Sequence, residues 1–130
     1  QELQSNVIII DGPPGTGCAP ISSITGVNTV VIVTEPSKSA FHDMKRAVEL
    51  VQKFKIKIYI VINKFDINSD ISTEIEKWCA QQSIRVAGKI PFDELVVESM
   101  LNCKSIVEFA PDSMISKEII HIWNTVIHNK

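Results

Sequence analysis

The stretch Val7–Pro20, VIIIDGPPGTGCAP, decides how the 130-residue chain is read. Four apolar residues run into an acid and then into a turn rich in glycine and proline. Gly12 and Gly17 carry the spacing of a phosphate-cradling loop, G-x-x-x-x-G-K-[ST], but Cys18 and Ala19 stand where Lys and Ser or Thr belong. As such a loop the segment fails on chemistry. Nothing supplies positive charge for the β- and γ-phosphates, Ala19 offers no hydroxyl to Mg²⁺, and Pro13 and Pro14 remove amide donors from the cradle. A buried strand, Val7–Ile10, ending in Asp11 is the better reading: it has the pattern of a Walker B strand, whose carboxylate holds Mg²⁺ through a water.

Working outward, apolar runs alternate with helical periodicity. Thr29–Thr34 (TVVIVT), Lys57–Asn63 (KIYIVIN) and Arg85–Ile90 read as further strands, the first two β-branched and continuous as strands covered on both faces are. Between them, Ala40, Phe41, Met44, Ala47, Val48 and Val51 predict a helix over about Ser39–Phe54. Asp70 is placed to cap a second helix that buries Ile71, Ile75, Trp78 and Cys79. A short helix over Asp93–Asn102 points Leu95, Val96 and Met100 inward, and one opening at Asp112 or Ser113 buries Ile115, Ile119, Ile122, Trp123 and Val126. The expected class is α/β: one domain with a mostly parallel sheet flanked by helices on both faces. Ligands of such sheets sit beyond the carboxyl ends of the strands.

Composition narrows the function. Thirteen basic residues against fifteen acidic give a net charge of −2, and the basic residues are scattered, so no nucleic-acid surface built on bulk charge is expected. Cys18, Cys79 and Cys103 are far apart and lack C-x-x-C spacing, which predicts neither a disulfide framework nor a self-contained metal or cluster site. No segment reaches the ~20 apolar residues of a membrane span. The opening QELQSNVIII carries no initiator Met and no leader pattern, so the chain is expected to be cytoplasmic and to start part-way through a longer protein. His42, His121 and His128 are widely spaced on helices, and Ser22-Ser23 lacks a companion base, so neither set suggests a reaction centre.

The expected strand ends carry the candidate site: Asp11, then Thr34-Glu35-Pro36, Asn63-Lys64-Phe65-Asp66, and Ile90-Pro91-Phe92-Asp93. Asn63–Asp66 matches N-K-x-D, a base-recognition element of GTPases. An Asn side chain offers a donor and an acceptor to a purine edge, and the terminal acid, Asp66, can accept from guanine amino groups.

Five ordered segments, VIIIDGPPGTG, VIVTEPSKSAFHDMKRAVELV, VINKFD, IPFD and VEFAPDS, resemble the MinD/ParA/Mrp family of P-loop ATPases, and most closely the branch with an inserted ferredoxin domain. The resemblance covers Val7–Lys130. It implies catalytic roles for Asp11, through Mg²⁺, and for Gly15, whose amide reads the γ-phosphate, with Pro13, Pro14 and Thr16 completing that switch. It also implies that Asn63 binds adenine and that Pro91 and Phe92 wall the base, with Asp93 beside them. The family's K-G-G-x-G-K-T loop, its switch I aspartate and its cluster-binding cysteines have no counterpart in the sequence.

The resemblance therefore implies the C-terminal portion, residues 1–130, of a single MinD-like nucleotide-binding domain lacking the phosphate-loop strand. Its cofactors would be ATP and Mg²⁺, with 4Fe-4S clusters only where an upstream ferredoxin segment exists. Its partner would be the N-terminal half of the same protein, or a second chain that supplies the lysine loop, and the resemblance also implies a homodimer across the nucleotide. Hydrolysis would need that loop, so the chain alone is expected to be inactive. Two alternatives stand beside this reading: a GTPase-type domain using N-K-x-D, and a non-catalytic α/β interaction module.

Overall fold

The computed structural model describes residues 7–12 and 26–128. Three strands, β1 (Thr29–Thr34), β2 (Lys57–Asn63) and β3 (Arg85–Ile90), form a sheet in the order β1-β2-β3 with both pairings parallel. All three coincide with the apolar runs that predicted them. Helix α1 (Lys38–Gln52) joins β1 to β2, and α2 (Ser69–Gln81) joins β2 to β3. Two short helices, α3 (Leu95–Leu101) and α4 (Ile106–Phe109), lead to α5 (Met114–His128).

The central strand explains the layering. Successive side chains of a strand point to opposite faces, and β2 is buried on both. Ile58, Ile60 and Ile62 pack with Met44, Val48 and Val51 of α1 and with Ile75 and Cys79 of α2. Tyr59 and Val61 face the other way with Ala87, against Ile122 and Val126 of α5. Helices thus cover both faces, as the alternating pattern requires. Closure on the second face depends on Gly88. A Cβ there would lie 2.7 Å from Glu118 Oε1 and 2.8 Å from Ile122 Cδ1, so only glycine lets α5 approach β3 this closely. The register slips at the same place: Ile60 pairs with Val86 but Val61 pairs with Gly88, leaving Ala87 as a bulge residue.

Local chemistry sets the helix starts. Ser37 is extended and its Oγ accepts from the Ala40 amide at 3.1 Å, which opens α1. Asn68, not Asp70, caps α2: its Oδ1 accepts from the Ile71 amide at 3.1 Å, while Asp70 lies in the first turn. The cap must have non-helical backbone, and Asn68 does (φ −146°). Ser113 rather than Asp112 opens α5, its Oγ accepting from the Ser116 amide.

Three expectations fail in packing. Val7–Ile10 joins none of the three strands, and Ile8 and Ile9 are 81% and 74% exposed. A buried strand needs a neighbour to complete its backbone ladder, and β1 pairs only with β2 among the described residues. Met100 is exposed because α3 runs only from Leu95 to Leu101 and turns Ser99 inward instead. Trp123 is exposed because the contact face of α5 follows Ile115, Ile122 and Val126, and residue 123 lies about 100° around the helix from residue 122.

Candidate functional site

The parallel register brings the carboxyl ends of the strands level: Thr34 of β1 lies opposite Ile62 of β2, and Asn63 opposite Ile90 of β3. The residues that follow each strand therefore meet on one rim. Asn63 is half-buried at the end of β2. Lys64 turns the chain with left-handed backbone (φ 54°, ψ 41°), which throws Phe65–Ile67 into a single 3₁₀ turn. That turn is held from behind, since the buried Ser72 Oγ donates to the Phe65 carbonyl at 2.7 Å and the Ile67 amide donates to the Lys64 carbonyl at 3.1 Å.

Two links tie the rim together. Lys64 Nζ lies 3.6 Å from Glu35 Oε1, joining the ends of β2 and β1. Both groups are well hydrated, so the pair is worth ~0–1 kcal/mol and sets orientation more than stability. Across the other gap, the Phe92 amide donates to Asp66 Oδ1 at 2.8 Å. The bond joins residues 26 apart and brings N-K-x-D beside Pro91 and Phe92. The Phe92 ring is 49% exposed, standing at the rim. Asp93 turns its carboxylate onward, Oδ1 accepting from the Leu95 amide at 2.9 Å at the start of α3.

Beside the rim, an open groove of about 560 Å³ follows β3 and includes Phe65, Gly88, Pro91 and His121. Lys89 borders it, 3.0 Å from Glu76 and with its ammonium 5.2 Å from the centre of the Phe65 ring.

The structure therefore unites Asn63, Asp66, Pro91 and Phe92. Asp11 is exposed, in a segment outside the sheet, and Pro13, Pro14, Gly15 and Thr16 lie outside the described residues, as do Cys18 and Ala19. Among the described residues no group of three or more His, Cys, Asp or Glu is placed to hold a metal ion. A magnesium ion of the nucleotide-bound kind takes only one or two carboxylates, with phosphate oxygens and waters completing its shell. Asp11 fits as one such ligand and does not make a site by itself. Two participants escaped the sequence: the Glu35–Lys64 pair, and the use of Asp66 as an acceptor for a distant amide. Neither leaves a local signal, because both depend on the register of the sheet.

A family model described as ParA, NUBPL iron-transfer P-loop NTPase, matches residues 3–127. The chain belongs to that family. An uncharacterized protein of Methanocaldococcus jannaschii is 33% identical over 109 residues, covering 81% of this chain and 36% of its own length. An iron-sulfur cluster carrier protein of Aquifex aeolicus is 28% identical over 127 residues, covering 88% of this chain and 35% of its own. Among solved structures, the septum site-determining protein MinD of Pyrococcus horikoshii, complexed with Mg-ADP, superposes with a TM-score of 0.78 at 18% identity, covering 96% of this chain and 51% of that one. The fold is therefore that of the MinD-type P-loop NTPases. The chain spans about a third of the length of these curated relatives and about half that of the solved one. No helix among the described residues is long and apolar enough to cross a membrane.

Proposed function

We propose that this chain is the base-binding and switch half of an ATP-dependent P-loop NTPase that serves iron-sulfur cluster proteins, and that it works only when a lysine-bearing phosphate loop is supplied from outside these residues. The observation that carries the reading is the Asp66–Phe92 hydrogen bond of 2.8 Å, which joins the two loops that would hold a purine. Asn63 offers the adenine edge a donor and an acceptor from one amide. The exposed Phe92 ring and Pro91 supply an apolar wall for the base. Asp11 would give one carboxylate to Mg²⁺, and the Gly15 amide would donate to the γ-phosphate. These groups orient and sense the nucleotide but provide no positive charge to draw the phosphates into place, and phosphoryl transfer depends on that positioning. The missing charge would come from the N-terminal half of the same protein or from a second chain, in a cytoplasmic protein that is free to dimerise across the nucleotide.

The cluster association rests on the iron-sulfur carrier relative. No three Cys, His or acidic residues among the described ones gather as cluster ligands, and we assign any cluster to an upstream ferredoxin segment.

Purified alone with Mg²⁺ and ATP, the 130-residue chain is expected to show no turnover, and turnover should appear when it is joined to a segment carrying the lysine loop. Mg²⁺-dependent hydrolysis by the isolated chain would overturn the reading. Competition between ATP and GTP for the joined protein separates it from a GTPase. An Asp11→Asn substitution that leaves the nucleotide response of the joined protein unchanged would favour a non-catalytic module.

A further inference from the structure

We propose that Asp66 is a positioning residue: its carboxylate fixes the Pro91–Phe92 loop against the Asn63 rim and does not read the base. The proposal deepens the nucleotide-site reading above and rests on it only for its ligand.

The geometry begins behind Asp66. Its turn is pinned by the Ser72 hydroxyl on the Phe65 carbonyl, by the Ile67 amide on the Lys64 carbonyl, and by Asn68 capping α2. The carboxylate thus projects from a backbone fixed on both sides. In front of it, β3 ends at Ile90, and Pro91 has no amide to give. Phe92 is the first residue after the strand with an N–H, and Asp66 Oδ1 takes it at 2.8 Å. That bond decides where the loop leaves the sheet and hence where the Phe92 ring stands.

The same bond bears on specificity. A carboxylate that recognises guanine accepts two N–H groups side by side, one on each oxygen. Here Oδ1 already accepts an amide, a charge-assisted bond stronger than a neutral one. Paired recognition of guanine would have to share Oδ1 with the Phe92 amide or break the link that holds the loop. The N-K-x-D spacing is therefore used for architecture, and base choice passes to Asn63.

The two roles respond differently to an isosteric change. Asn in place of Asp66 keeps an oxygen that accepts the Phe92 amide, whereas Ala keeps none. In the 130-residue chain, hydrogen exchange at the Phe92 amide should stay slow in Asp66→Asn and accelerate at least about tenfold in Asp66→Ala. Amides within β2 and α2 report that both variants remain folded. In the protein joined to its lysine-bearing segment, ATP affinity should be close to wild type for Asp66→Asn and lower by roughly ten- to a hundredfold for Asp66→Ala. Fast exchange at Phe92 in the wild type, or equal loss of nucleotide binding in both variants with the Phe92 amide still protected in Asp66→Asn, would overturn the proposal. If wild type binds no nucleotide, the site reading fails, while exchange at Phe92 still decides whether Asp66 holds the loop.

Discussion

Cys79 lies fully buried on α2, and burial, followed by the nearby Glu76 carboxylate, pushes its thiol up from 9.0 to about 11. Cys103, after α3, is exposed. Thiolate is the reactive form, so the two should separate sharply toward an alkylating reagent. At pH 8, peptide mass spectrometry should find Cys103 modified in the native protein and Cys79 modified only after denaturation. Equal rates would contradict the packing of α2 on β2. The pH dependence has a definite sign. The folded state holds the Cys79 proton more tightly than the unfolded state, so its contribution to stability is complete below about pH 9 and is lost as pH rises through about 11. The urea midpoint should fall across that window, and the fall should shrink in Cys79→Ala. The burial of Cys79 was legible in the helical spacing of Ile71, Ile75 and Cys79, but its β2 neighbours and the partner of Asp66 were not. Those residues, on β2 and after β3, are brought close only by folding.

The elements were more legible than their edges. The three strands were found residue for residue because β-branched runs bounded by polar residues leave little latitude. Val7–Ile10 has the same composition and is not a strand, because apolar character makes a strand only where a neighbouring backbone can receive it. Helix starts were harder, since Asn68, Ser69 and Asp70 are all good caps by type and the choice falls to backbone conformation. Asn68→Ala should cost about 1 kcal/mol, the usual worth of a cap whose oxygen holds an amide. Asp70→Ala should cost about half of that, through loss of a favourable charge in the first turn. Urea unfolding of the two variants checks the order, and a larger loss from Asp70→Ala would return the cap to that residue.

At the scale of the molecule, the uneven covering of the sheet matters most. Val30 and Ile32 of β1 pack toward α1, but Val31 and Val33, on the other face, are 40% and 63% exposed. Over β2 and β3 that face is covered by α5, while over β1 no described helix lies on it. The strands of a parallel sheet are ordinarily covered on both faces. If this chain is half of a larger domain, as proposed, the missing half should lie over Val31 and Val33. The double substitution Val31→Thr, Val33→Thr tests this, because it preserves shape and β propensity while adding hydroxyls. In the 130-residue chain it should change stability by no more than about 0.5 kcal/mol, the usual size for solvent-facing sites. In the protein joined to its lysine-bearing segment it should cost about 2 kcal/mol or more, because two hydroxyls would be buried without designed partners. Thermal melts of both forms read the difference directly. Equal small changes in the two would mean that this face stays open in the intact protein, and the half-domain reading would lose its structural support.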